Sequence, residues 1–143
     1  MKRVRQLLEE KGGVVWTIRP DQTVFEALQM MAEKGIGALV VMSDRNVVGI
    51  LSERDYARKV ALKGVSSKET PVRDIMSTKV VYVRPDQEVE ECLALMTDKH
   101  CRHLPVFDND QLVGIVSIGD AVKAIIAAKE FMIGQLENYI KGG

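Results

Sequence analysis

The chain has 143 residues, of which 46% are hydrophobic and 28% charged, the balance of a soluble globular protein. Its 20 basic and 20 acidic residues cancel and its aromatic residues are few, which argues against nucleic-acid binding. The two cysteines, Cys92 and Cys101, suit a reducing cytoplasm rather than a disulfide scaffold, and no apolar run reaches the ~20 residues that span a membrane.

The first half of the chain predicts a helix, a strand, a helix, two strands joined by a turn, and a third helix. Apolar spacing, β-branched runs, capping residues and glycines indicate the bounds. The predicted elements are helix 1–11 ended by Gly12-Gly13, strand 14–18, a helix from the capping box Thr23–Glu26 to Gly35, strand 38–42, turn 43–46, strand 47–51, and a helix from Ser52 to about Leu62 that ends at Gly64.

The second half predicts the same order after a linker, 65–70, which Pro71 closes before one helical turn over 72–76. The predicted elements are strand 80–83, helix 89–99, strand 103–107, turn 108–111, strand 112–116 and a helix from 118. The strands joined by turns are expected to be antiparallel, and the strand–helix–strand connections to be right-handed. An apolar stripe continues the last helix from Ile125 to Ile140, and Gly142-Gly143 ends it.

The two halves are copies of one unit. At a constant offset of 65, about 17 of 42 positions are identical, among them 19–22 on 84–87 and 48–50 on 113–115. A unit of about 60 residues is marginal alone, so the copies are expected to pack together. The predicted fold is α/β (α+β), with two pseudo-symmetric β-α-β-β-α repeats over 1–68 and 69–143. They are expected to pack sheet to sheet as one module, with an N-terminal helix and an extended C-terminal helix.

Each copy places a serine and an aspartate at the junction between its last strand and the following helix. These pairs are Ser52 with Asp55 and Ser117 with Asp120. A helix N-terminus offers unpaired N–H groups, and a carboxylate there can accept hydrogen bonds from a vicinal diol. A capping box with Asp in place of Glu explains the same residues, and both roles can coexist.

A second candidate segment precedes the middle strand of each copy. In the second copy it is His100-Cys101-Arg102-His103, whose cationic side chains suit phosphate oxygens. The alternatives are a solvated loop, or a metal site formed by His100, Cys101 and His103. In the first copy, the glycine-containing segment 34–38 leaves room for a flat base or a close backbone approach, or is simply a helix end and tight turn.

These features resemble the CBS-domain family, named for cystathionine β-synthase. The matching residues are the tandem repeat, Leu-Pro-Val at 104–106, the junctions at 49–55 and 114–120, and Pro71–Met76 before the second copy. The resemblance covers nearly the whole chain and implies a stand-alone pair of CBS domains, a Bateman module. It further implies binding of AMP, ADP or ATP, and in some members NAD(H) or S-adenosylmethionine, in the clefts between the copies.

The resemblance also implies roles for individual residues. Asp55 and Asp120 would hold ribose hydroxyls, and each cleft would take its Asp from one copy and its adenine-contacting strand from the other. Phosphate would face Ser52, Arg54, Arg102, His103 and Ser117. Adenine would contact Val15, Trp16, Thr17, Ser77, Thr78, Lys79 and Val81. The pockets would be completed by Ile36, Gly37, Ala38, His100, Cys101, Pro105, Ile118 and Gly119.

One departure from the repeat is Trp16, which stands where the second copy has Val81. Its ring either stacks on adenine or fills one pocket and leaves it empty.

The leading hypothesis is a regulatory module without catalytic residues that binds an adenine nucleotide and signals to an unidentified protein. The alternative is a ligand-independent module that forms a homodimer through its helices, which the apolar last helix favours. A thiol enzyme built on Cys101 is a third possibility, although no catalytic motif accompanies that residue. No metal is expected, and neither nucleic acid nor a membrane is an expected partner.

Overall fold

A computed structural model describes residues 2–140, so the predictions for Met1 and for Gly142-Gly143 lie outside the described residues. Contacts divide the chain into two compact units. The repeat-1 unit is Val15–Val80, and the repeat-2 unit contains the residues up to Val14 together with those from Val81 onward. The predicted segments 1–68 and 69–143 do not coincide with these units, because the N-terminal helix packs with the second copy.

The repeat-1 unit contains a sheet in the order β1 (Thr17–Ile18), β2 (Ala38–Ser43), β3 (Asn46–Ser52), in which β1 is parallel to β2 and β2 is antiparallel to β3. The predicted strand 14–18 is shorter than expected, since only Thr17 and Ile18 pair with β2. The helix after Ser52 begins as an α-helix and continues as a π-helix over Ala57–Ala61. The labelled elements are β1 (Thr17–Ile18), α2 (Val24–Lys34), β2 (Ala38–Ser43), β3 (Asn46–Ser52) and α3 (Glu53–Tyr56), and a 3-10 turn follows at Val72–Asp74.

The repeat-2 unit pairs β4 with β5 in an antiparallel sheet and adds the N-terminal helix α1. The predicted strand 80–83 does not form, because only Val83 bridges to Val106. The predicted helices and antiparallel hairpin of this copy are confirmed. The labelled elements are α1 (Val4–Lys11), α4 (Val89–Lys99), β4 (His103–Asp108), β5 (Gln111–Ser117) and α5 (Ile118–Ile140).

Both hairpins turn through two residues with left-handed backbone. These are Asp44 and Arg45 in repeat 1 (φ 49 and 70) and Asn109 and Asp110 in repeat 2 (φ 49 and 66). Two-residue turns with positive φ match the right-handed twist of the strands they join, and Asn and Asp tolerate this conformation best. The turns predicted at 43–46 and 108–111 are therefore confirmed.

The predicted capping box at the start of α2 is only half formed. Thr23 Oγ1 accepts a hydrogen bond from the Glu26 N–H at 3.2 Å. The Glu26 carboxylate accepts instead from Gln22 Nε2, at 2.9 Å. Gly35 ends the helix in the left-handed conformation, as predicted, and His100 does the same for α4.

The N-terminal segment is part of the repeat-2 unit through backbone hydrogen bonds. The Val4 N–H donates to Gln87 O and the Arg5 N–H to Pro85 O, each at 2.9 Å. Val4 is fully buried in the core of this unit. These bonds explain why α1 does not belong with the first copy.

The segment after the first copy makes the same bonds within the repeat-1 unit. The Val72 N–H donates to Gln22 O at 2.8 Å and the Arg73 N–H to Pro20 O at 3.0 Å. Gln22 and Pro20 are the repeat equivalents of the two acceptors that α1 uses. Val72 is fully buried, as Val4 is. Each unit is thus completed by a segment with the sequence Val-Arg-x-apolar-apolar, at 4–8 and 72–76.

Each unit has its own hydrophobic core. The repeat-1 core contains Ile18, Val24, Ala27, Met31, Leu39, Val41, Leu51, Val60, Val72 and Ile75. The repeat-2 core contains Val4, Leu7, Val83, Val89, Cys92, Met96, Leu104, Val106, Val116, Ala121 and Ala124. Within residues 2–140, no helix combines the length and apolarity that a membrane crossing requires.

Gly49 of β3 and Gly114 of β5 are equivalent glycines that lie against the completing segments 72–76 and 4–8. A Cβ on Gly49 would lie 2.8 Å from the Ser77 carbonyl oxygen and 2.7 Å from Met76 Sδ, whereas the three atoms nearest to one on Gly114 all belong to the Leu8 side chain, the first at 2.5 Å. We expect Gly49→Ala to lower the free energy of unfolding by about 1–3 kcal/mol, because backbone must move.

Chemical denaturation measures the free energy of unfolding of Gly49→Ala and of its matched comparison, Gly114→Ala. Trimming Leu8 to Ala should rescue Gly114→Ala, while trimming Met76 to Ala should not fully rescue Gly49→Ala. This packing would be contradicted if both glycine variants lost the same free energy of unfolding and if trimming Leu8 and trimming Met76 restored it equally.

Candidate functional site

In the repeat-1 unit, backbone pairing brings the predicted loop and junction together. Ala38 pairs with Ser52 across the hairpin, and the Glu53 N–H donates to Gly37 O at 3.0 Å. Gly37 and Ala38 therefore lie beside the start of α3, where Ser52 and Asp55 are.

The Ser52 and Asp55 side chains form a closed capping box. The Asp55 N–H donates to Ser52 Oγ at 3.2 Å, and Asp55 Oδ2 accepts from the Ser52 N–H at 2.9 Å and from Ser52 Oγ at 3.1 Å. The other oxygen, Asp55 Oδ1, lies 3.3 Å from Lys59 Nζ. Lys59 Nζ also donates to Ile75 O at 2.9 Å. Both oxygens of Asp55 are therefore engaged within the unit.

The repeat-2 unit builds the equivalent junction in the same way. His103 pairs with Ser117, and the Ile118 N–H donates to Arg102 O at 2.8 Å. The predicted phosphate-facing residues Arg102 and His103 thus lie beside Ser117 and the first turn of α5. Pro105 pairs with Ile115 further along the same strands and is buried.

Asp120 closes the second capping box and binds a lysine from the N-terminal helix. The Asp120 N–H donates to Ser117 Oγ at 3.1 Å, and Asp120 Oδ2 accepts from the Ser117 N–H at 2.9 Å. Lys11 Nζ donates to the same Oδ2 at 2.6 Å and to Ile115 O at 2.8 Å. Among residues 2–140, no group donates a hydrogen bond to Asp120 Oδ1.

Two titratable groups of this junction have shifted pKa values. Burial raises the pKa of Asp120, but hydrogen bonds from Lys11 and Ser117 outweigh it and hold the pKa below the ordinary 3.8. Burial, together with the charges of Lys11 and Arg102, lowers the pKa of His103 below 6.5, although Asp120 acts in the opposite direction. The carboxylate is therefore ionised and the imidazole neutral at pH 7.

The segments predicted to contact adenine lie at different places in the units. The Ser77 backbone exchanges hydrogen bonds with Ile50 on β3, at 2.9 and 3.0 Å. Trp16 is 38% exposed and Lys34 Nζ lies 4.1 Å from its ring centroid, a cation–π contact. Trp16 therefore does not fill the core of its unit. The remaining predicted residues of these segments are partly or fully exposed: Val15, Thr17, Thr78, Lys79 and Val81.

The other predicted residues surround the two junctions. Ile36 and Cys101 follow the ends of α2 and α4, and their N–H groups donate to Met31 O and Met96 O at 3.0 and 3.1 Å. The predicted residues of the first helical turns are Arg54, Ile118 and Gly119, and His100 ends α4. The structure thus groups the predicted loop and helix-start residues, but not the predicted adenine-contacting segments, around Ser52–Asp55 and Ser117–Asp120, one junction in each unit.

The cysteines are thiols in largely apolar surroundings. Burial raises the pKa of Cys92 to about 11, and burial also raises the pKa of the Cys101 thiol. Reactive cysteines have lowered rather than raised pKa values, so neither thiol is activated. Nowhere in residues 2–140 do three His, Cys, Asp or Glu side chains come together as metal ligands.

Sequence reasoning missed the two lysines that bind the aspartates. Lys59 follows Asp55 by four residues, a spacing that brings side chains together on a helix and could have indicated the pair. Lys11 lies 109 residues before Asp120, and no local pattern predicts their contact. The similarity between 4–8 and 72–76, which the sequence analysis did not use, could have indicated that α1 packs with the second copy.

Comparison with known proteins identifies relatives along most of the chain. The family model for the CBS domain matches residues 13–62 and 72–127. A mitochondrial CBS domain-containing protein of Arabidopsis thaliana, CBSX3, is 41% identical over 137 residues, which make up 92% of this chain and 66% of that protein. The chain thus spans slightly less than two thirds of this relative.

Solved structures with CBS domains have the same fold. A proposed signal-transduction protein from Burkholderia ambifaria is 49% identical with a TM-score of 0.85, and the match covers 88% of this chain and 95% of that one. The hexameric CBS-CP12 protein of bloom-forming cyanobacteria is 31% identical with a TM-score of 0.77, over 85% of this chain and 70% of that one.

The Lys11–Asp120 contact predicts a shift of two pKa values in Lys11→Met. Asp120 loses a charged hydrogen bond while remaining buried, so its pKa should rise. The pKa of His103 should rise as well, because a nearby positive charge is removed. NMR titration of the Asp120 carboxyl carbon and the His103 ring measures both values. Lys59→Met is the control and should leave both unchanged; an unchanged Asp120 in Lys11→Met would contradict the contact.

Proposed function

The chain belongs to the CBS-domain family, and from that premise we propose that it is a non-catalytic regulatory module that binds adenine nucleotides. The proposal is supported most directly by the ionised Asp120 carboxylate at the start of α5. It is fixed by Ser117 and Lys11 through one oxygen. Its other oxygen, Oδ1, is available to accept hydrogen bonds from the vicinal hydroxyls of a ribose.

Cationic groups beside Asp120 suit the phosphate part of such a ligand. Arg102 and His103 directly precede the buried residues of β4. The Lys11 ammonium group lies 2.6 Å from Asp120 Oδ2. A guanidinium binds two phosphate oxygens at once, and a neutral imidazole can donate one hydrogen bond. Arg54 and Lys59 provide positive charge at the equivalent junction of repeat 1. A diol acceptor next to phosphate donors is the combination that a nucleotide requires.

The two aspartates are not equivalent as ribose acceptors. Both oxygens of Asp55 have partners, namely Ser52 and Lys59, whereas Asp120 keeps one oxygen without a donor among the described residues. A ribose at Asp55 must displace Lys59 from the carboxylate, and a ribose at Asp120 need not displace Lys11. The Asp120 junction is therefore the site of higher affinity in this proposal.

The ligand class follows from the same groups. A ribose diol and a phosphate are common to AMP, ADP, ATP and NAD(H), and S-adenosylmethionine offers the diol with a positive charge in place of phosphate. Arg102 and Lys11 disfavour that positive charge, so we expect AMP, ADP, ATP or NAD(H) to bind better than S-adenosylmethionine. Binding then signals to a partner protein through the altered stability of the ligated unit.

Self-association is the second candidate function, and the exposed apolar face of α5 favours it. Only Ala121 and Ala124 of this helix are buried in the described structure. The exposed apolar residues of its second half are Phe131 (67%), Met132 (63%), Ile133 (55%), Leu136 (60%), Tyr139 (83%) and Ile140 (81%). Apolar surface of this extent commonly marks an interface. The hexameric relative shows that a protein with this fold can assemble.

Asp120→Asn tests the nucleotide proposal. Asparagine keeps the shape and the helix cap but removes the charge that accepts the diol. We expect at least a tenfold weaker binding of AMP by calorimetry, since hydrogen bonds to a charged group contribute about 1.5–3 kcal/mol. Asp55→Asn should have a smaller effect on the tighter site.

The control is Asp98→Asn, an exposed acidic residue of the same unit whose loss should leave affinity unchanged. Circular dichroism verifies folding of each variant. If millimolar AMP, ADP, ATP, NADH and S-adenosylmethionine all give neither heat nor a melting shift with the wild-type chain, the nucleotide proposal is refuted.

Ile133→Lys with Leu136→Lys tests self-association. Sedimentation should show an oligomer for the wild-type chain at micromolar concentration and a smaller species for the double variant, since buried lysines without partners oppose assembly. Gln135→Lys with Asn138→Lys adds the same charge at exposed polar positions and should not change the mass. A monomeric wild-type chain would exclude this function.

A further inference from the structure

A concave surface lies at the turn end of the repeat-1 sheet. Its volume is about 610 Å³, and three arginines line it: Arg19, Arg45 and Arg73. Asp21 and Asp44 line it as well, so the local formal charge is positive. This surface contains none of the residues predicted from the sequence as ligand contacts.

Backbone pairing places the three arginines from distant parts of the repeat-1 unit. Arg19 directly follows β1, whose last residue, Ile18, pairs with Val41 near the turn end of β2. Arg45 is the second residue of the left-handed turn, with φ 70. The N–H of Arg73 donates to Pro20 O at 3.0 Å. The convergence is thus a consequence of the fold, not of neighbouring positions in the sequence.

The arginines are only partly neutralised by the acidic residues nearby. Arg19 Nε lies 3.4 Å from Asp21 Oδ1, an exposed pair that contributes little to stability. Within residues 2–140, the side chains of Arg45 and Arg73 form no ion pair and no hydrogen bond. Guanidinium groups remain charged at all ordinary pH values and bind oxyanions through two parallel N–H groups.

The repeat-2 unit lacks this combination although it retains two of its arginines. Arg84 is the equivalent of Arg19, with the same 3.4 Å contact to its own aspartate, and Arg5 occupies the place of Arg73. Asp110, however, stands where repeat 1 has Arg45. The exchange reverses the charge at the centre of the turn. The second copy therefore serves as an internal control for the first.

We propose that Arg19, Arg45 and Arg73 form a binding site for a small phosphate-class anion, separate from the junction at Ser52 and Asp55. The cavity has the size of small-molecule sites, which occupy about 300–1,000 Å³. The site lies at the opposite end of β2 from Ala38, about 17 Å away at the rise of a strand. It binds a polyphosphate or phosphate ester through guanidinium groups and does not require a ribose.

Inorganic pyrophosphate carries neither ribose nor base, and the signals of Arg19, Arg45 and Arg73 report on this site separately from the phosphate groups proposed at Arg102 and His103. In an NMR titration of the full chain at low salt, the Nε–Hε resonances of Arg19, Arg45 and Arg73 should shift together. Arg45→Asp, which copies the second repeat, should weaken binding at least tenfold. Reversing one charge replaces an attraction to the anion by a repulsion, and a tenfold loss corresponds to about 1.4 kcal/mol. High salt should weaken it further.

Arg84→Gln and Arg5→Gln are the matched controls and should leave the affinity unchanged, whereas Arg19→Gln and Arg73→Gln should each weaken binding. Asp120→Asn should retain full pyrophosphate binding, so failure of the nucleotide proposal would leave this result intact. Shifts confined to other arginines, or equal affinity in Arg45→Asp and the wild-type chain, would overturn the proposal.

Discussion

The two capping boxes hold the candidate site in place. In each unit the serine N–H binds the carboxylate three residues later, and the serine hydroxyl accepts the returning N–H. The first helical turn leaves N–H groups without helical partners, so the same bonds stabilise the helix and fix the position of the carboxyl group. The helix start already requires Ser and Asp, and the proposed function uses the same two residues for a ligand.

Much of the fold followed from local pattern. The repeat, the helices, both turns and the strands of each hairpin were predicted, because apolar periodicity, left-handed turn residues and helix caps act over a few residues. The strands predicted at 14–18 and 80–83 are shorter or absent, since their pairing is decided by β2 and β4, not by their own β-branched residues. The Ser and Asp junctions were predicted as well, but not the lysines beside them. Lys11 reaches Asp120 only because α1 packs on a sheet from the far half of the chain.

Each unit is completed by a segment from outside its repeat. The bonds made by Val4 and Val72 to equivalent glutamine carbonyls show the same docking in both units. The repeat and the completing segment thus both recur in the chain. A lysine contacts the aspartate in both units, but Lys59 follows Asp55 by four residues whereas Lys11 comes from α1. The copies diverge at two proposed ligand positions. One is Asp120 Oδ1, which has no hydrogen-bond donor among residues 2–140, and the other is Arg45, which Asp110 replaces. Divergence at such positions, with scaffold residues kept, supports two units of unequal ligand preference.

The most direct test of the central claim is a crystal structure of the chain with bound AMP. The account predicts that the ribose hydroxyls donate to Asp120 Oδ1 at about 2.5–3.0 Å, while Oδ2 keeps its bonds to Ser117 and Lys11. Phosphate density should lie beside Arg102 and His103. A structure in which AMP is bound without any contact to Asp120, or in which both aspartates contact only protein at saturating AMP, would contradict it.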